Sequence, residues 1–362
     1  MSAADHSTRL RRGPAIIMRS VEAIHPYARL TPDVVLNALD SLGLACDGRL
    51  LALNSYENRV YQVGLEQALP GAPPSPAPMA VAKFYRPGRW SEAQILEEHA
   101  FALELAAAEI PMVAPLAFDG RTLHEREGFR FAVFPRRGGR APDLEDEKTL
   151  VWLGRFIGRI HAVGATHAFV QRPRLDPATF GEEPREHLLA SGFIPPDLIA
   201  SWTQVSGLAL EGVRHAYERA GDVAYIRVHG DCHPSNVLWT PDGGNSPGGP
   251  HFVDLDDSRM APAVQDLWML ISGDRRSMGR QLGRILEGYE DFAALDDREL
   301  HLIEALRTLR LIHYSAWLAR RWDDPAFPIA FPWFNTPRYW QDRILELREQ
   351  VAALHEPPLV PE

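Results

Sequence analysis

The stretch His229-Gly-Asp-Cys-His-Pro-Ser-Asn236 puts a carboxylate and a carboxamide five residues apart on one loop. The apolar run Ala224-Tyr-Ile-Arg-Val228 leads into it, and Val237-Leu-Trp239 continues as a short strand beyond. After a turn-rich segment, residues 240 to 250, the strand His251-Phe-Val253 delivers Asp254 at its C-terminal end, where it can face Asn236. In-line phosphoryl transfer asks a protein for a base at the attacking oxygen, metal bridging the β and γ phosphates, and a cation on the α and β phosphates. Asp231 suits the first task. Asn236 and Asp254, with phosphate oxygens, suit a hard octahedral Mg²⁺. Each motif alone is short enough to occur by chance, or as a turn and an acidic strand end. Their order, spacing and flanking strands point to phosphoryl transfer.

That chemistry requires an upstream lysine. Met79-Ala-Val-Ala-Lys83-Phe-Tyr-Arg-Pro87 reads as a β-rich strand with Lys83 emerging between apolar neighbours. A helix is expected from Ser91, with Ile95 and Phe101, or Leu96, Leu103 and Leu105, recurring near the helical period. Glu97 and Glu98 fall on its first turns. One of them should pair with Lys83, and Glu98 is favoured over Glu97. Upstream, Leu51 to Val63 reads as two alternating strands around the polar, glycine-free turn Asn54-Ser-Tyr-Glu-Asn58. Backbone amides of Ser55 to Asn58 and the Ser55 hydroxyl can cap the phosphates of ATP, although side chains there limit close approach.

These strings make the chain resemble the aminoglycoside phosphotransferase and choline kinase superfamily. The resemblance rests on Leu53-Asn-Ser-Tyr-Glu-Asn-Arg-Val-Tyr61, Val81-Ala-Lys-Phe-Tyr-Arg-Pro87, Ile95-Leu-Glu-Glu-His99, His229-Gly-Asp-Cys-His233, Phe252-Val-Asp-Leu-Asp-Asp257, Pro262-Ala-Val-Gln-Asp-Leu-Trp-Met269 and Asp324-Pro-Ala-Phe-Pro328. It implies an α+β, bilobal, protein-kinase-like fold: an N-lobe antiparallel sheet with one helix, and a mainly helical C-lobe. It further implies Asp231 as proton acceptor, Asn236 and Asp254 as magnesium ligands, and Ser55 and Lys83 on ATP. Asp266 would be a buried carboxylate supporting the catalytic loop, with His229 packed beneath. Serine/threonine phosphorylation of proteins under stress is the activity implied.

The expected division is a loosely ordered extension over residues 1–26, an N-lobe over 27–136 and a C-lobe over 137–362. The boundary follows the strand Phe131-Ala-Val-Phe-Pro135, whose backbone can meet adenine, and Arg136-Arg-Gly-Gly139, whose glycines allow a hinge. Glu66 to Pro78 and Thr240 to Pro250 should be exposed loops. From Thr149 the pattern turns helical, with Leu150, Leu153, Phe156, Ile157 and Ile160 on one face. In a later helix, His301 to Trp322, the residues Leu302, Leu306, Leu309, Ile312 and Trp317 are expected to pack the C-lobe. Asp324 to Pro328 and Phe331-Pro-Trp333 are candidates for an acceptor cleft.

With 362 residues, 45% of them apolar, the chain can bury a core in each of two lobes. No apolar run reaches membrane length and Met1-Ser-Ala-Ala-Asp-His lacks a signal-peptide core, so a cytoplasmic, membrane-free protein is expected, as a monomer. A formal charge of −10 argues against nucleic acid as a partner. The pairs Arg136-Arg137, Arg275-Arg276 and Arg320-Arg321 read as solvated ends. Two cysteines, Cys46 and Cys232, make no disulfide scaffold, and Cys232 reads as a small buried residue. His161, His167 and His233 show no zinc spacing and read as structural. Three classes remain: a protein kinase, a small-molecule kinase with an amino-alcohol, sugar or homoserine-like acceptor, and a nucleotide-binding pseudokinase.

Overall fold

A computed structural model describes residues 25–69, 76–241 and 248–362. The proposed extension, up to residue 24, and the centres of the two proline- and glycine-rich loops lie outside the described residues.

Among these residues the fold begins with α1 (Pro32–Asp40), started by Pro32 and by Thr31, whose hydroxyl accepts from Val34 N. Its Val34, Val35, Ala38 and Leu39 are buried. The N-lobe therefore holds a helix before its sheet, as well as the single helix expected. Five strands follow: β1 (Cys46–Ala52), β2 (Arg59–Leu65), β3 (Met79–Phe84), β4 (His124–Arg126) and β5 (Phe129–Pro135), antiparallel in the order β1-β2-β3-β5-β4. Lys83 sits on the central strand between Val60 of β2 and Ala132 of β5.

Between β3 and β4 runs α2 (Glu92–Ala107), begun by a capping box in which Ser91 and Gln94 exchange backbone and side-chain hydrogen bonds. Ile95 packs with Tyr85 and Ala132 of the sheet, whereas Phe101, Ala102 and Leu105 join the C-lobe core. Leu96 and Leu103 are exposed, so the buried face is that of Ile95, Phe101 and Leu105. The helix belongs to both lobes.

The C-lobe opens with α3 (Glu147–Gly164), capped by Asp146. It continues through α4 (Glu183–Ser191) and α5 (Ile199–Ala220) to β6 (Ile226–Val228), β7 (Val237–Thr240), β8 (Gly249–Phe252) and β9 (Arg259–Ala261). The remaining helices are α6 (Val264–Leu267), α7 (Arg275–Tyr289), α8 (Ile303–Arg320), α9 (Ala326–Ala330) and α10 (Pro337–Ala353). Helices α3 and α7 touch backbone to backbone: a Cβ on Gly154 would stand 1.9 Å from Ile285 O, and one on Gly288 2.0 Å from Val151 O. This close pair holds His161 of α3, whose ring meets the Tyr289 hydroxyl of α7 at 2.9 Å.

Helix α6 is short, and a buried carboxylate holds its start: Glu299 accepts from Val264 N at 2.9 Å. Burial, ahead of any neighbouring charge, pushes the Glu299 carboxyl from 4.5 up to about 7. The folded state thus holds this proton more tightly than the unfolded chain. The resulting stabilisation is full below pH 4.5 and is lost as pH rises through about 7. Glu299→Gln keeps an acceptor but cannot ionise. Its melting temperature should fall less than that of the parent chain between pH 5 and 8, and equal melting profiles would contradict the shift.

Candidate active site

The loop from 229 to 236 joins β6 to β7, and the β7–β8 ladder fixes its far end. Val237 pairs with Phe252, and Val253 N donates to Asn236 O at 3.0 Å. Asn236 and Asp254 are thereby neighbours, each at the end of a strand. Asp254 takes a left-handed backbone, φ 64° and ψ 66°, which turns the chain so that its carboxylate faces the cleft. Its side chain is 48% exposed.

Beneath the loop, Asp266 accepts from the backbone of His229 at 2.7 Å and of Gly230 at 2.8 Å, and is held by His161 Nε2 at 2.9 Å. His161 also meets the Tyr289 hydroxyl at 2.9 Å, which ties the loop's support to α3 and α7. His229 is buried, and its Nε2 reaches Val253 O at 2.9 Å, linking this loop to the Asp254 strand. Gly230 has φ +84°, and a Cβ there would lie 2.2 Å from Asp257 O, so no other residue fits. Cys232 is fully buried, with its thiol pushed up by burial and then by Asp266 and Asp231; it packs the loop rather than reacting.

Lys83 is buried and its ammonium shares three carboxylates: Asp254 at 3.0 Å, Asp256 at 3.1 Å and Glu98 at 3.3 Å. Burial alone would depress it. The three anions outweigh that and hold it well above its ordinary value, so it stays charged. Glu98 also meets Arg172 at 3.4 Å. Glu97 faces elsewhere and accepts from the backbone of Val170, Gln171 and Arg172.

Asp231 is held on both carboxylate oxygens. Arg310 Nη1 lies 2.7 Å from Oδ1, while Asn236 Nδ2 and His233 Nε2 lie 3.4 Å from Oδ2. Burial would raise this carboxyl, but His233 and Arg310 together hold it below the usual carboxylate range. Asn236 Nδ2 also donates to Asp231 O at 2.9 Å, which leaves the amide oxygen for a cation. His233 therefore stands against Asp231, in addition to capping the turn by accepting from Ser235 N.

Two cavities meet at these residues. One, of about 310 Å³, runs under the sheet between apolar walls that include Val60, Val81, Ala102, Phe134 and Leu255, with Lys83, Asn236 and Asp254 at one end. The second, of about 430 Å³, holds Asp231, Arg310, His313, Tyr314 and Trp317. Asn54, Ser55, Ser235, Asn236 and Asp254 line both. The Ser55 hydroxyl donates to Asn58 O at 3.1 Å, bracing the turn from within. Pro135 and Arg137 edge the first cavity.

Some residues of the site were not foreseen. Asp256 is buried between Lys83 and Arg89, and Arg89 also pairs with Asp257 at 2.8 Å. On α8 the residues Arg310, His313, Tyr314 and Trp317, spaced three, one and three apart, form a stripe facing the second cavity. Trp317 thus lines a cleft as well as packing the lobe. This polar and aromatic stripe runs beside the Leu306, Leu309 and Ile312 stripe and was readable as a second face. Arg321 is no solvated end, since it pairs with Glu57. Nor does Asp324 line the cleft: it is buried beneath Arg59 and Arg86.

Among the described residues no three His, Cys, Asp or Glu side chains form a ready metal cage, and no helix is long and apolar enough to cross a membrane. One carboxylate and one carboxamide oxygen, beside a cavity that can hold phosphates, fit a cation that takes most of its ligands from phosphate and water.

The model of the phosphotransferase enzyme family matches residues 49–301. Stress response kinase A of Escherichia coli strain K12 is 43% identical over 333 residues, 92% of this chain and 96% of that protein. The serine/threonine protein kinase RdoA of Salmonella typhimurium is equally similar, 43% identical over the same shares. In fold the chain resembles an amicoumacin kinase solved with AMP-PNP, Ca²⁺ and Ami (TM-score 0.66, 18% identity, 91% of this chain and 95% of that one). It also resembles a microcompartment-associated aminopropanol kinase (TM-score 0.63, 18% identity, 88% and 96%). The chain belongs to the phosphotransferase enzyme family, as a kinase with the bilobal kinase-like fold.

Proposed function

We propose that this kinase uses ATP and Mg²⁺ to phosphorylate Ser or Thr hydroxyls of proteins, in a response to stress. The observation that carries the phosphotransfer reading is the convergence of Lys83, Asn236 and Asp254 at the end of one cavity, with Asp231 just beyond them in the next. The protein acceptor and the stress role rest on the two relatives at 43% identity, whose names carry them. In this reading residues 1–26 are an extension, 27–136 the N-lobe and 137–362 the C-lobe.

Adenine takes the apolar cavity and the triphosphate points toward Lys83, which bears on the α and β phosphates while Glu98 and Asp256 fix its direction. Ser55 and its turn cover the phosphates. Asn236 Oδ1 and Asp254 would hold Mg²⁺, which would supply positive charge to the triphosphate. Asp231 accepts a hydrogen bond from the acceptor hydroxyl and aims it at the γ phosphorus. The acceptor oxygen bonds to phosphorus as the bond to the β–γ bridging oxygen breaks, releasing ADP; the hydroxyl proton passes to Asp231. A carboxylate held below its usual range is a weak base. That suits a loose transition state, in which orientation matters more than early proton removal.

The size of the second cavity favours one other reading, since about 430 Å³ is enough to enclose a small alcohol. Labelled ATP decides between them. The purified chain should label itself or a generic protein substrate, and the label should disappear in Asp231→Asn. If no protein is labelled while one small alcohol turns over at about 10⁴ M⁻¹s⁻¹ or more, the acceptor is a metabolite.

A further inference from the structure

Phosphoryl transfer finds no task for Asp324-Pro-Ala-Phe-Pro328, yet Asp324 is a carboxylate only 1% exposed. We infer that Asp324 and Glu57 are positioning residues of the nucleotide site: together they strap the glycine-free turn 54–58 to the C-lobe, which thereby sets where that turn lies over the phosphates. The inference rests on assigning the 310 Å³ cavity to ATP.

Three side chains of the turn and the strand after it, Tyr56, Glu57 and Arg59, cross between the lobes. The Tyr56 ring meets Phe331 edge-on with centroids 4.8 Å apart. Glu57 accepts from Trp317 Nε1 and pairs with Arg321, both from the C-terminal part of α8 and its end. Arg59 Nη2 lies 2.8 and 2.9 Å from the two oxygens of Asp324. Arg86, two residues beyond β3, adds a contact to Asp324 at 3.0 Å, and its guanidinium lies 5.7 Å from the Phe327 ring and 5.9 Å from that of Tyr27. The Tyr27 hydroxyl in turn shares its one proton between Phe84 O at 3.1 Å and Glu57 O at 3.2 Å, which clamps the base of the turn to the sheet.

A glycine-rich loop reaches phosphates because its backbone is free to do so. A turn without glycine has less freedom and needs its position set from outside. Ion pairs buried this deeply hold one arrangement, since removing a partner strands the opposite charge without water. The strap also closes a packing circuit. Trp317, Phe327 and Phe331 pack against one another, tilted or edge-on, with centroids 5.0 to 5.8 Å apart, so the segment that anchors the turn is itself braced.

Calorimetric titration with Mg–AMP-PNP tests this, on variants whose folding is first confirmed by thermal melting. Glu57→Gln and Asp324→Asn keep shape and lose charge. Each should raise the Kd for Mg–AMP-PNP about 10-fold or more, well short of the full cost of breaking a buried pair, because only the displacement of the turn reaches the nucleotide. The double variant should fall short of the product of the two, because both act through one turn. Arg298→Gln, which breaks an exposed pair with Asp296, should leave Kd unchanged. Should Asp324→Asn not fold, Glu57→Gln and Arg59→Gln carry the test. Variants that melt lower but bind Mg–AMP-PNP as tightly as the parent would show a purely structural network and overturn the inference. Failure of the parent chain to bind Mg–AMP-PNP would overturn the nucleotide assignment beneath it.

Discussion

Asp231→Asn is expected to lower turnover by about 10²–10⁴-fold, the usual loss on removing a positioned proton acceptor. Nucleotide affinity should not suffer. Asp231 lines the second cavity and not the first, and its side chain pairs with Arg310, His233 and Asn236 rather than with Lys83. The sign of any small change is also fixed. Losing this carboxylate leaves Arg310, now 2.7 Å from Oδ1, without its anion, close to where the γ phosphate would lie. Mg-ATP should then bind as tightly as before or slightly tighter. Asparagine preserves size and keeps an oxygen for Arg310, so the loop should not collapse. Steady-state kinetics beside calorimetry separate the two effects. Turnover within a factor of ten of the parent would remove Asp231 from the reaction, and weakened nucleotide binding would place it on ATP instead.

How far the sequence reaches into this site follows from the range of the contacts. The Asp231 to Asn236 spacing lies on a single loop, and Asn236 and Asp254 are joined by a hairpin between adjacent strands. Local pattern was therefore enough to bring them together. Lys83 and Glu98 are 15 residues apart and joined through one capped helix, so their meeting was also within reach. What local pattern left open was the rotation of α2. That helix meets the sheet through Ile95 and the C-lobe core through Phe101, Ala102 and Leu105, while Leu96 and Leu103 are exposed, so apolar residues occur on every side and the periodicity does not name a single face.

The contacts that escaped are those made across the fold. Asp256 read as part of an acidic strand end, because nothing near it in sequence carries the charges it serves: Lys83 and Arg89 come from the other lobe. Arg310 reaches Asp231 from 79 residues away and Trp317 reaches Glu57 from 260. A doublet such as Arg320-Arg321 looks solvated when only its neighbours are seen, yet Arg321 turns inward to Glu57 while Arg320 stays exposed. Charge in a sequence marks surface by default. Whether it is instead buried depends on a partner that only tertiary packing supplies.

Asp254→Asn and Asp254→Ala should lower Mg-ATP affinity and turnover together, in contrast to Asp231→Asn. Asparagine is the cleaner probe, because position 254 holds a φ of +64° that asparagine tolerates and alanine does not, so the alanine variant adds backbone strain to the loss of charge. Neither change should release Lys83, which keeps Asp256 at 3.1 Å and Glu98 at 3.3 Å. The loss therefore reports on the cation and not on a displaced lysine. Residues that merely orient a metal ligand cost about 10–100-fold when removed, and a direct ligand should cost about 100-fold or more in Mg-ATP affinity. Without magnesium the sign reverses. The Asp254 carboxylate, half exposed to the cleft, then repels the triphosphate, so metal-free ATP should bind the Asp254→Asn variant as well as or better than the parent. Titrations with and without Mg²⁺ read both halves of the argument. Equal Mg-ATP affinity in variant and parent would show that Asp254 holds no metal, and an equal loss in both titrations would show that it contacts nucleotide directly.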